Sequence, residues 1–333
     1  ASGAISGVTT LTLSNVGGTA TLSADVDVTT FTVGNTVANL AFTGNGSSVT
    51  NAVTFANDGT LTLGQDSGTQ TYNGGLTTTS VGGIVTLNGT IATSNDAIVL
   101  GAVTLGSATT IDTNASSNAA DITIAAVTGG NNTLTLTTEN NVSGADITAS
   151  GAISGVTTLT LANVGGTATL SADVDVTTFT VGSTVANLAF TGNGSSVTNA
   201  VTFTNDGTLT LGQDGGTQTY NGGLTASGVG STVRLNGIIN VAGGNFVLGA
   251  VNIDSNTVLD LDGDDNSLTY TSFNDGATGG NLTINTDGGF SLNNSTSIGS
   301  GNLIINVDAD NDGVETLTVS ISPTAASSSY NGS

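Results

Sequence analysis

The chain repeats itself. Ala1-Ser2-Gly3-Ala4-Ile5-Ser6-Gly7 returns as Ala149-Ser150-Gly151-Ala152-Ile153-Ser154-Gly155, an offset of 148 residues. At that offset the copies differ at four positions as far as Tyr72 and Tyr220: Ser14/Ala162, Asn35/Ser183, Ala56/Thr204 and Ser67/Gly215. Weaker similarity continues through Leu87-Asn88-Gly89 against Leu235-Asn236-Gly237, and Leu100-Gly101-Ala102-Val103 against Leu248-Gly249-Ala250-Val251. A long internal repeat this close to identity marks an array of stacked units, and an array restricts the fold far more than composition does.

Within each copy the period is that of strands. Thr-Leu-Thr-Leu occurs at residues 10–13, 60–63, 133–136, 158–161 and 208–211, setting leucines on one face and threonines on the other. Asn15-Val16-Gly17-Gly18, Gly44-Asn45-Gly46, Asn57-Asp58-Gly59, Asn88-Gly89 and Gly129-Gly130-Asn131-Asn132 lie between such stretches. Asn, Asp and Gly supply the positive-φ positions that tight corners require. Strand centres at Leu13, Val33, Phe55, Leu87, Leu105, Ile124, Leu136 and Leu159 are spaced mostly by roughly 18–24 residues, the coil length of a β-solenoid. At about 21 residues per coil, one copy predicts about seven coils and the chain about fifteen. Each coil supplies two or three short strands that pair in parallel with the coils on either side. A string of immunoglobulin-like sandwiches is the competing architecture, but the chain has no Trp and a single Pro, and shows no core of large residues. A membrane β-barrel lacks its aromatic girdles.

Charge narrows the partners. Asp and Glu number 24 against the single Arg234, for a net charge of −23, and charged residues are 8% of the chain. Nucleic acid and anionic lipid both require basic residues and are disfavoured, whereas divalent cations fit. There is no cysteine framework, so stability rests on packing and backbone hydrogen bonds. No apolar run is long enough to predict a membrane-spanning helix. Aromatics are 4% of residues, which predicts a thin, aliphatic core. The first copy opens inside a motif that the second enters through Gly144-Ala145-Asp146-Ile147-Thr148, so the chain reads as a processed or excised part of a longer protein.

Without His, Cys or Lys, the serine, cysteine and lysine nucleophile systems have no members here. Carboxylates alone remain. Asp25 and Asp27, with Asp173 and Asp175, alternate with valines and read as a solvated strand face rather than a glycosidase pair. Asp308-Ala309-Asp310-Asn311-Asp312-Gly313 matches the opening of a calcium loop, where alternate carboxylates converge on one hard cation. Position twelve is Val319 instead of Glu, so Glu315 is the candidate fourth ligand; the bland reading is an acidic hairpin turn. Asp260, Asp262 and Asp264 form a looser Ca²⁺ candidate in Asp260-Leu261-Asp262-Gly263-Asp264-Asp265. Arg234 stands where the first copy has Thr86 and reads as an exposed strand residue.

The strings Gly144-Ala145-Asp146-Ile147-Thr148-Ala149-Ser150-Gly151-Ala152-Ile153 and Leu61-Thr62-Leu63-Gly64 resemble the repeats of large bacterial surface proteins of the filamentous-haemagglutinin-like and autotransporter adhesin type. That resemblance is compositional and periodic over nearly the whole chain. It implies an all-β, right-handed parallel β-helix at the cell surface or in the extracellular matrix. The expected organisation is a first solenoid copy at 1–148, a second copy with divergent acidic coils at 149–322, and a low-complexity tail at 323–333. The expected function is a non-enzymatic extracellular structural protein that self-associates head to tail into a fibre, sheath or matrix. An adhesin or stalk binding surface glycans is the alternative, and a polysaccharide-cleaving β-helix is a more distant third. No membrane insertion is expected.

Calcium is directly testable. If Asp308, Asp310 and Asp312 hold Ca²⁺, the cation stabilises the folded state by mass action. Chelation then lowers the melting temperature, and titration calorimetry registers Ca²⁺ binding that Asp310→Asn weakens. A melting temperature unmoved by EDTA, with no heat of binding, reduces the motif to a turn.

Overall fold

The computed structural model describes residues 1–261, 267–276, 279–287, 290–307, 316–319, 324–325 and 327–331. Regular structure among them is entirely β, and the strands stack in parallel as a β-solenoid. The chain forms two compact units, Ala1–Thr169 with Thr184–Ala186, and Leu170–Ser183 with Asn187–Ser333.

In the first unit a coil has three sides. Val85–Leu87 lies between Leu61–Leu63 and Val103–Leu105. Thr90–Ala92 lies between Thr69–Thr71 and Thr110–Asp112. Ile98 and Val99 lie between Leu76–Thr77 and Ile122–Thr123. Strands that turn a corner without interruption do so at an irregularity in register, as between Leu87 and Gly89. Coil length is therefore elastic. The coil that carries Val85 round to Val103 is short, while the one that carries Val127 round to Ile153 is markedly longer.

Columns explain why the alternation folds this way. Leu40, Leu61, Val85, Val103, Val127 and Ile153 occupy one register position in successive coils, and all are buried. Each such aliphatic side chain contributes roughly 1.5–3 kcal/mol by leaving water. The outward column beside it is Thr62, Thr86, Thr104, Thr128 and Ser154, β-branched for the most part, which suits a pleated outer surface.

The aliphatic core that composition implied is corrected by its aromatic rings. Phe31, Phe42, Phe55 and Tyr72 pack edge to face with centroids 5.3–6.3 Å apart. Tyr72 donates its hydroxyl to Gln70 Oε1 at 2.9 Å, and Gln70 Nε2 donates to the carbonyls of Phe42 and Gly44 at 2.9 and 3.2 Å. The second unit has the same arrangement at Phe190, Gly192, Gln218 and Tyr220. In this unit, too, Leu209 pairs with Val233 and Val233 with Val251, with the same irregularity between Leu235 and Gly237. None of the four differences between copies falls on a buried side chain. Thr204, in place of Ala56, adds a hydroxyl bond of 3.3 Å to the Val181 carbonyl.

The repeat is not a whole number of coils. Ile5 pairs with Val26, and that side runs on through Val28, Val49, Tyr72 and Thr93 to Asp112, Thr137 and Ala162. Ile153, the copy of Ile5, sits instead on the side of Val85, Val103 and Val127. The offset of 148 thus spans six coils and two sides rather than the seven coils that average spacing suggests. Within the first unit, the strand and its copy face different directions.

Two corner positions give a stability test. Gly64 has φ +73°, and a Cβ there would stand 2.1 Å from the Asn88 carbonyl oxygen. Ser67 holds φ 58°, while its counterpart Gly215 has φ 71° with open space around it. Gly64→Ala is expected to destabilise the fold by about 1–3 kcal/mol. Ser67→Gly is expected to stabilise it by about 0.5 kcal/mol, the left-handed strain relieved exceeding the entropy that glycine adds to the unfolded chain. Urea titration reads both.

Candidate functional site

Most of the sequence-predicted metal ligands, namely Asp262, Asp264, Asp308, Asp310, Asp312 and Glu315, lie outside the described residues. Asp260 is described: it ends the outward side of Ala250–Leu261, in register with Asn240 and Asn285. Asn285 Nδ2 donates to Asp260 Oδ1 at 3.5 Å, Asn306 Nδ2 to Asn285 Oδ1 at 2.8 Å, and Asn331 Nδ2 to Asn306 Oδ1 at 2.7 Å. Asp260 therefore belongs to an amide ladder. Among the described residues no group of three or more acidic, histidine or cysteine side chains is placed to hold a metal.

The carboxylate pairs separate by role. Asp27 is exposed on the strand Val26–Val33, whereas Asp25 sits at the preceding corner and accepts the Gly46 N–H at 2.8 Å. Asp173 does the same for Gly194 at 2.7 Å. Arg234 projects from Val233–Asn240 and pairs with Asp254 of the next coil at 2.8 Å. Such a half-exposed pair contributes at most about 1 kcal/mol.

Two features that sequence reasoning missed stand out. The first is a pair of stacked loops, 113–121 and 138–146, carrying a small apolar cluster of Ala115, Ala120 and Ala145 with Val142 against it. Asn114, Glu139, Asn140 and Asn141 all have left-handed backbones. Asn95 Oδ1 accepts the N–H groups of Ser116, Ser117 and Asn118 at 2.7–2.9 Å, pinning the first loop. Asn140 Nδ2 donates to the Ala115 carbonyl at 2.9 Å, tying the second loop to it. The run Glu139-Asn140-Asn141 was the available signal, since Asn tolerates positive φ.

At the base of these loops Asp112 accepts the Asn114 N–H at 2.7 Å. Burial lifts its carboxyl to about 6; the Asn114 N–H opposes that shift and the Glu139 charge adds to it.

The second feature is a hollow of about 400 Å³ lined by Val8, Thr9, Asp27, Thr29, Ser48 and Thr50. One carboxylate and several hydroxyls suit hydrogen bonding to a sugar. There is no aromatic platform beside it, because Tyr72 is buried in the ring cluster.

Asp112 sets a pH dependence. Its folded pKa of about 6 lies above the ordinary 3.8, so the native state holds the proton more tightly than the unfolded chain. Stability from this group is full below about pH 4 and is lost as pH rises through about 6. Asp112→Asn keeps the acceptor for Asn114. It is expected to raise stability near pH 7 by about 1 kcal/mol, after allowance for solvent screening, and to leave pH 4 nearly unchanged. Urea titrations at the two pH values check it.

No family model, curated protein or solved structure matches the chain.

Proposed function

We propose that the protein is a non-enzymatic extracellular structural protein, a solenoid scaffold that builds a fibre, sheath or matrix by stacking coils end to end. One observation carries this reading. The same strand occurs in two environments. In Ile5–Leu13, which pairs with Val26–Val33, Val8 is 42% exposed. In the copy Ile153–Ala162, Val156 is 2% exposed and Ile153, Leu159 and Leu161 are fully buried. The burial comes from a covering coil, through Val127 on Ile153 and through Leu134 and Leu136 on Leu159 and Leu161. The strand is therefore built to be covered by another parallel coil.

A parallel coil laid against Ile5–Leu13 would meet neither charge nor proline, the features that usually repel a further strand. Ser327–Asn331 is exposed along its length and carries the amide ladder as far as Asn331. A contact between these unlike edges is heterologous and propagates. The charge of −23 keeps fibres apart, and divalent cations relieve that repulsion. The surface-protein resemblance and the low charged fraction support an extracellular or cell-surface setting. The hollow at Asp27 favours one alternative, a glycan-binding stalk; glycan-array binding that Asp27→Ala removes would establish it.

Electron microscopy and sedimentation test the assembly. The 333-residue chain is expected to form polar filaments that bundle on addition of Ca²⁺. Val8→Asp, a change at an exposed position of the isolated chain, is expected to abolish filaments without unfolding it. A chain that stays monodisperse at high concentration, with and without Ca²⁺, overturns end-to-end stacking.

A further inference from the structure

A strip on one side of the first unit has the chemistry of an interface. Its outer column is Thr62, Thr86, Thr104, Thr128 and Ser154. Two residues earlier on the same outward face stand Thr60, Ile84, Ala102, Ala126 and Ala152. No residue in either column is charged, in a chain whose net charge is −23. Ile84 is 62% exposed. Beside it lies a shallow hollow of about 280 Å³ lined by Gly83, Ile84, Ala102, Val103, Thr104 and Thr128. Gly83 and Ala102 leave this space because their side chains are small.

The second copy does not keep this surface. The position of Thr86 is Arg234, and the position of Gly106 is Asp254, which form an ion pair. The uncharged strip is therefore a feature of the first copy rather than a by-product of the repeat.

We propose that this strip pairs laterally with the same strip on a second copy of the chain, related by a two-fold axis, with Ile84 of each copy seated in the other's hollow. The occupant follows from three observations. A knob beside a hole on one face can be self-complementary, which is what an isologous contact requires. Coils repeat at about 4.8 Å in both partners, so every row of methyls and hydroxyls meets a row of the same period. An uncharged face is also where two strongly acidic bodies approach with least repulsion, so screening salt strengthens the contact.

Sedimentation in the Val8→Asp background removes end-to-end stacking from the reading and keeps the two proposals separable. That chain is expected to be a dimer at high concentration in raised salt. Adding Ile84→Asp is expected to weaken the dimer by about tenfold or more, as for a central apolar anchor, with an unchanged melting temperature. Because the chain has no cysteine, Ala102→Cys offers a second readout. A short bis-maleimide is expected to cross-link it to dimer, and to leave Ser94→Cys, at an exposed position elsewhere, as monomer. A Val8→Asp chain that is monomeric in all salts overturns the proposal. So does a dimer that Ile84→Asp leaves intact, or capture of the strip by an uncharged polysaccharide without self-association.

Discussion

Parallel backbone pairing between coils about 4.8 Å apart is the interaction on which the rest depends. Once a coil is committed to pair with the next, every position belongs to a column that faces either inward or outward. Inward columns are mostly apolar because a polar group there needs partners brought with it, as the run Leu40, Leu61, Val85 and Val103 shows. Where a polar group is buried it carries its own partners, as Gln70 does through Tyr72 and the carbonyls of Phe42 and Gly44. Corners are the weak point, since their N–H groups leave the ladder. Side chains one coil back meet them: Asn39 Oδ1 accepts the Thr60 N–H at 2.9 Å, Asp25 that of Gly46 at 2.8 Å, and Asp146 that of Thr167 at 2.6 Å. Much of the Asn and Asp content is thus structural.

That division of labour decides what was legible in the sequence. Thr-Leu-Thr-Leu reads correctly because inward and outward columns follow strict alternation, and the corner words Asn88-Gly89 and Gly129-Gly130-Asn131-Asn132 mark real corners. Coil phase was not legible. Average spacing hides the difference between the short coil from Val85 to Val103 and the long one from Val127 to Ile153, and only pairing shows that Ile153 stacks on Val127. The ring cluster was invisible for a similar reason, since Phe31, Phe42, Phe55 and Tyr72 are scattered in sequence and meet across coils. Of the candidate calcium ligands Asp260 alone lies among the described residues, within an amide ladder. Composition located neither Asp112 nor the hollow at Asp27, because both arise from residues in successive coils.

Charge and stacking act along different directions. Along the axis, backbone pairing and apolar columns are strong and indifferent to salt. Across it, a chain with one basic residue and 24 acidic ones is held apart unless a face lacks carboxylates. The proposed end-to-end contact draws on the axial term, and the proposed lateral contact on the uncharged strip.

The turned copy shows how loosely identity constrains such a fold. Ile5–Leu13 and Ile153–Ala162 have nearly one sequence, yet they lie on different sides of the first unit's coils. Each side demands only an inward aliphatic residue at the paired position. Ile153 therefore stacks on Val127 as readily as Val26 stacks on Ile5. A duplication in a three-sided solenoid need only contain a whole number of sides, and corners of variable length absorb the difference. What the copy cannot preserve is its neighbourhood. Ile5 lies beside Val26, whereas Ile153 lies beside Val127 on another side of the coil. Two nearly identical stretches thus present different surfaces, and new surface chemistry appears without any change to the core.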